Sequence, residues 1–334
     1  MSHEQVLDHT RPARPPARPR GLRGKTWWPW LVRALTAVFF ALVLWLLASQ
    51  ARAIAWNEVW ATLRNYPLRA LGLAAALAVS SLTLYSCFDL LGRRYTGHTL
   101  RAPTVMGVTF ISYVFNLNLG SLVGGVAFRY RLYSRLGLDT GVITRVMSLS
   151  MLTNWIGYLL LAGVIFGFDT PALPPDWAMG SEGLQLLGFA LLAIALAYPL
   201  LCAFSRQRRF VLRGHELDLP SWRLALLQLG LGAANWLLMS GVIFMLLQQK
   251  VALPTVAGVL LVAAVAGVIT HVPAGLGVLE AVFVALLSHL MPTTELLAGL
   301  VAYRVIYYLL PLAAASLFYL ATESRATPQA PDPR

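Results

Sequence analysis

"HVPAGLGVLE", residues 271–280, sets a proline, two closely spaced glycines, a histidine and a glutamate inside a chain that is otherwise lipid-soluble. The 334 residues are 58% hydrophobic and 12% charged, with a mean hydropathy of +0.67. A soluble domain of that make-up lacks the polar side chains to cover its surface, so the chain reads as a polytopic membrane protein. Within such a chain the quoted stretch either kinks a span at Pro273 or turns inside the membrane.

Which it does depends on the rest of the chain. A helix needs roughly 20 apolar residues to cross the hydrocarbon layer, and six stretches meet this: 28–50, 68–91, 143–168, 183–204, 221–248 and 296–321. Two further apolar regions, 103–137 and 253–291, are interrupted by glycine. Residues 1–26 carry Arg11, Arg14, Arg18, Arg20, Arg23 and Lys25 among prolines. Such a segment cannot bury a core and reads as a disordered basic arm in the cytoplasm. Residues 27–321 then form one transmembrane domain, with 322–334 as a cytoplasmic tail. Between the first two spans, Trp56, Val59, Trp60 and Leu63 recur at helical spacing, which predicts a short helix lying in the interface.

Charge settles the topology. The net charge of +12 comes from arginines at span ends, a sidedness signal and not a nucleic-acid face. If 103–137 crossed once, Arg129, Arg131, Arg135 and Arg145 would face outward and the acidic loop of Asp169, Asp176 and Glu182 inward, against the positive-inside tendency. A hairpin turning at "GSLVGG" (120–125) restores the rule, with Gly120, Ser121, Gly124 and Gly125 at its turn. Arms of about 12–17 residues are short for a full crossing, which favours a re-entrant or tilted pair. The quoted stretch repeats this from the opposite face, turning at Pro273, Gly275 and Gly277. Span, hairpin and span run over 68–168 and again over 221–321, an offset of 153 that carries Gly120 onto Pro273. The expected fold is therefore all-α: about six full spans plus two re-entrant or tilted helical hairpins in an inverted repeat, a plan used by carriers.

"PAGLGVLEA" (273–281) resembles the Pro-x-Gly-x-Gly-x-x-Glu signature of the lysylphosphatidylglycerol synthase transmembrane family, the flippase-like family that includes the membrane half of the multiple peptide resistance factor. "GGVAFRYRLYSRLGL" (124–138), and Arg304 followed by Pro311, resemble further features of that family. Ala274 stands where the family often has glycine, Leu279 where it often has a basic residue, and "NLNLGS" where its first hairpin often carries proline. The chain ends at Arg334, without room for the soluble aminoacyl-transferring domain of the bifunctional members, so the resemblance implies the flippase-like half alone and no enzyme.

Charged groups in hydrocarbon cost at least about 2.5–3.5 kcal/mol unless paired or hydrated, which singles out Arg129, Glu280 and Arg304, with His271 beside the turn. In one reading Arg129 or Arg304 takes a lipid phosphate, as planar guanidinium suits phosphate oxygens, and Glu280 takes an amine or hydroxyl of the headgroup. In the other, Glu280 pairs with Arg304 or Arg129 and fixes helix packing. Asp89 reads as the interfacial partner of Arg93, and Asn116, Asn118, Asn154 and Asn235 as bonds across helices. Cys87 and Cys202 lack metal-ligand spacing, and no cofactor motif is present. The function expected is movement of a phospholipid or related amphiphile between leaflets of a bacterial inner membrane. The alternatives are a non-transporting partner of an envelope-lipid assembly and, behind it, an intramembrane enzyme. Partners that fit are membrane phospholipids, a lipid-synthesis protein and a second copy in a homo-oligomer, with no nucleic acid.

Overall fold

The computed structural model describes residues 66–169 and 181–325, apart from 206–208, 213–214 and 271, together with Asn57, Ala61 and Arg64, which are helical. All belong to one compact unit, Ala51–Arg334. The basic arm, the span expected at 28–50, most of the interfacial helix, His271 and the chain beyond 325 lie outside the described residues.

Six described helical segments are long and apolar enough to cross a membrane: Leu68–Thr96, Thr140–Phe168, Glu182–Phe204, Trp222–Leu246, Leu253–Thr270 and Thr293–Ala321. The chain is thus a helical, multi-pass membrane protein. Five of the six match expected spans. Leu253–Thr270 was expected as a short hairpin arm, yet its 18 residues rise about 27 Å. Pro254 sits in its first turn, where a missing N–H costs nothing.

The first span is two helices, α1 (Leu68–Ser86) and α2 (Phe88–Thr96), jointed at Cys87. It runs past the expected end at 91 until Gly97, whose left-handed φ of 71° stops it. Helix α3 (Ala102–Leu119) ends at Gly120, φ 84°, and the chain doubles back through a π-helical stretch, Ser121–Ala127, into α4 (Phe128–Arg135). The two arms touch backbone to backbone: a Cβ on Gly124 would lie 2.2 Å from the carbonyl of Phe115. Phe115 and Phe128 stack across the same seam at 4.5 Å.

Helix α5 (Thr140–Phe168) starts where the Asp139 side chain accepts from Gly141 N–H, and α6 (Ser181–Phe204) follows. The connection after it holds the one departure from an all-helical fold among the described residues. Strands β1 (Arg209–Leu212) and β2 (His215–Asp218) pair antiparallel, Arg209 opposite Asp218. A polar loop has backbone donors and acceptors to satisfy, and the pairing does so.

Helix α7 (Trp222–Leu246) packs on α5 and α1. Its crossing with α5 is at Gly232 and Gly157, where a Cβ on Gly157 would lie 2.1 Å from the Gly232 carbonyl carbon. Along α1, Ser81 Oγ donates to Asn235 Oδ1 at 2.8 Å, a bond across helices of the kind expected for Asn235. Asn118 instead donates to Val114 O in its own helix.

The second reversal follows α8 (Leu253–Thr270). A 3-10 turn, Pro273–Gly275, leads through Gly277 into α9 (Val278–Leu287), which packs against α8. Ala274 (φ 57°), Gly275 (φ 57°) and Gly277 (φ 76°) all take left-handed backbone. The turn rests on α3. The last span comprises α10 (Thr293–Arg304), a π-helical stretch Val305–Leu309, and α11 (Leu310–Arg325). Pro311 has no N–H for the carbonyl of Tyr307, and Leu310 N–H reaches Val305 O, five residues back.

Candidate functional site

The structure brings together Glu280, Arg304 and the turn between α8 and α9. Arg304, 3% exposed, ends α10. Its Nε donates to Glu280 Oε1 at 2.5 Å and its Nη2 to Oε2 at 2.9 Å, a bidentate pair. Nη1 also donates to Ala274 O at 3.1 Å and Nη2 to Gly275 O at 2.9 Å. Carbonyls in a non-helical turn have no helical partners of their own, and one guanidinium supplies two of them. Its outer face lies 5.6 Å from the Tyr308 ring. Gly275 and Gly277 form the left-handed backbone that turns these carbonyls toward Arg304, and Pro273 opens the turn.

Arg129 sits in a different cluster. It is 3% exposed, on the first turn of α4, and pairs with the fully buried Asp89 of α2, Nε to Oδ2 3.3 Å. Tyr133, one turn further along α4, donates its hydroxyl to the same Oδ2 at 2.8 Å, and Arg129 Nη2 donates to Ser150 Oγ of α5 at 3.3 Å. Asp89 was expected to pair with Arg93 on its own helix. The partner is Arg129, because the first reversal lays α4 beside α2 and delivers both Arg129 and Tyr133 to the carboxylate. Gly120, Gly124 and Gly125 make that reversal possible, and Ser121 opens it on the exposed side.

Tyrosines join the two clusters. Tyr85, close enough to Arg129 to feel its charge, stacks on Tyr113 with ring centroids 3.4 Å apart. The Tyr113 hydroxyl is 3.3 Å from that of Tyr307, which is 2.7 Å from Ser81 Oγ. Tyr307 stacks on Tyr303 at 5.3 Å, and Tyr308 lies edge-on to both. Sequence reasoning gave Asp89 the wrong arginine and missed this column. The signal for Asp89 was a lone acid within an apolar span; for the tyrosines it was "YRVIYY" (303–308), which repeats phenols at helical spacing beside Arg304.

A cavity of about 330 Å³ is lined by other residues, among them Tyr66, Gln248, Met291 and the exposed pair Lys250–Glu295 at 2.5 Å. Tyr66 donates to Leu246 O there; burial, then Glu295, pushes its phenol up to about 12. Among the described residues, no three His, Cys, Asp or Glu side chains come together as a metal site.

The model of the lysylphosphatidylglycerol synthase transmembrane region matches residues 31–315, which takes in both clusters and the tyrosines between them. The chain belongs to this family. As a member of the lysylphosphatidylglycerol synthase transmembrane-region family it is 48% identical over 301 residues to inner membrane protein YbhN of Escherichia coli, covering 90% of this chain and 94% of that one. It is 32% identical over 287 residues to protein slr0712 of Synechocystis, covering 85% and 89%. The phosphatidylglycerol lysyltransferase of Staphylococcus haemolyticus is 25% identical over 247 residues, 71% of this chain but 27% of the transferase. In this family member the signature glutamate and the arginine of the last span are the two halves of one ion pair.

Proposed function

We propose that this chain moves a phospholipid or related amphiphile between the leaflets of a bacterial inner membrane, with both termini in the cytoplasm. The reading takes the two reversals as re-entrant hairpins entering from opposite faces, within an inverted repeat of 68–168 and 221–321. The observation that carries it is the Arg304 latch: a buried guanidinium shared between Glu280 and the open carbonyls of a turn. Its ligands are oxygens, and phosphate oxygens suit the same donors. A headgroup phosphate that displaced Ala274 O and Gly275 O would leave Glu280 bonded to Arg304, with lone pairs left to accept from a headgroup amine or hydroxyl. Arg129, at the other reversal, is the second phosphate candidate, and His271 a contact beside the turn. Ser81 and Asn235, 154 positions apart, meet where α1 and α7 cross, the contact expected near the axis of a repeat with an offset of 153.

The second reading, a non-transporting partner of an envelope-lipid assembly, draws on the same latch, because protein groups already occupy four of the five guanidinium donors. A leaflet-translocation assay in liposomes with a panel of fluorescent phospholipids separates the two. Transport by the parent that collapses in folded Glu280→Gln and Arg304→Gln variants supports the carrier. No transport above empty liposomes for any lipid, with folding confirmed, supports the partner protein.

A further inference from the structure

The Asp89 cluster contains buried polar atoms that no protein group satisfies. Asp89 Oδ1, Arg129 Nε, Arg93 Nε and both ring nitrogens of His98 are sealed from solvent without a hydrogen-bond partner. Arg304, in contrast, is held by four bonds to Glu280 and the turn. Buried polar groups are ordinarily hydrogen-bonded, so each exception calls for a ligand or a role. Asp89 itself is fully buried, and the smallest ligand its free oxygen can take is a proton.

We propose that Asp89 is a proton-binding site, loaded through His98 and Tyr133, and that its protonation releases Arg129. His98 lies in the short connection between α2 and α3, outside the spans, and its ring packs against Tyr133 with centroids 6.4 Å apart. Tyr133 in turn donates to Asp89 Oδ2. Once the His98 ring turns a nitrogen to the Tyr133 oxygen, a proton taken by His98 passes to that oxygen while the Tyr133 hydrogen passes to Asp89. The imidazole and the phenol end as they began, and the carboxyl ends neutral. Burial and Arg93 hold the His98 imidazole below the ordinary histidine range, while Asp89 pulls it upward, so it hands its proton on readily.

The groups facing Asp89 are Arg93 on its own helix, Tyr85 from α1, His98 from the connection, and Arg129 and Tyr133 from α4. Helix α5 offers Ser150 to Arg129, and Arg145 and Arg223 are exposed. Neutralising the carboxylate would leave Arg129 charged, buried and without its counter-ion, an arrangement that a low-dielectric interior disfavours. Arg129 must then move or find another anion. The proton site stands without the transport reading; only its use, tying lipid movement to a proton gradient, rests on that reading.

The test is an infrared pH titration and a pH-jump measurement on the full chain in phospholipid nanodiscs, which need no lipid transport. A protonated-carboxyl band that grows as the pH is lowered and loses one component in Asp89→Asn is the expected result. Proton uptake after the jump should slow by roughly tenfold or more in His98→Gln and Tyr133→Phe, the scale of a lost proton-transfer group. A band unchanged in Asp89→Asn, or uptake in His98→Gln as fast as in the parent, overturns the proposal. Should Asp89→Asn fail to fold, His98→Gln decides, since His98 bonds to nothing whose loss would unfold the chain. Lipid transport that is absent while the titration succeeds counts against the carrier and not against the proton site.

Discussion

The two reversals solve the same problem with opposite charges. At the first, the returning arm brings a cation, Arg129, to an anion on a spanning helix, Asp89. At the second, the returning arm brings an anion, Glu280, to a cation on a spanning helix, Arg304. The second pair is bidentate and also holds the turn, whereas the first is longer, with Arg129 Nε in ionic contact only and Asp89 Oδ1 without a hydrogen bond. One is a fastener and the other is a contact that can come apart. The backbones differ in the same sense: the first reversal is tight because Gly124 touches Phe115, and the second is open because left-handed positions at 274, 275 and 277 carry it round.

That contrast can be broken most forcefully at Arg304. Arg304→Gln should cost about 3–5 kcal/mol, since it strands a half-buried carboxylate and two turn carbonyls; thermal unfolding in detergent would show it. A double-mutant cycle with Glu280→Gln should recover part of the loss, and additive effects would mean the pair is not coupled. Arg129→Gln should cost less, about 1–3 kcal/mol, because its present partners are fewer and longer and Tyr133 still donates to the Asp89 carboxylate it leaves. Equal losses at the two arginines would erase the distinction drawn here.

Gly124→Ala probes the tight reversal. Its methyl would meet a backbone carbonyl that cannot step aside, for a loss of about 1–3 kcal/mol without any change in charge. Ala274→Gly probes the open one with the opposite sign. Relief of a left-handed alanine outweighs glycine's extra entropy cost by about 0.5–1 kcal/mol, so the unfolding temperature should rise slightly. A fall would mean that the Ala274 methyl, which is buried, contributes more through packing than its backbone costs.

Much of the fold could be read from hydrophobic run length, because a span declares itself by about 20 apolar residues whatever it packs against. Pro273, Gly275 and Gly277 marked where the backbone leaves the helix, since left-handed φ favours glycine. The partners were harder. Glu280 and Arg304 were named together because each is a lone charge in an apolar stretch, with opposite signs. Asp89 was assigned to Arg93 by nearness in sequence, and nothing in spacing tells which helix a reversal will lay alongside. The ribbon at 209–218 was missed for a related reason: its polar loop has no hydrophobic alternation strong enough to announce strands. The tyrosine column belongs to three helices, and no single stretch contains it.

Glycine also sets the mechanics of α5, α6 and α7. Gly157 meets Gly232, Gly163 meets the backbone of Leu192, and Gly188 meets Gly167, so these three helices touch main chain to main chain. Contacts of that kind contain no rotamers that could switch, and a sliding helix would collide within a fraction of an ångström. The trio behaves as a stiff chassis. Any change of shape in the molecule is therefore left to the helices seated on it through side chains: α1, the two reversals and the last span.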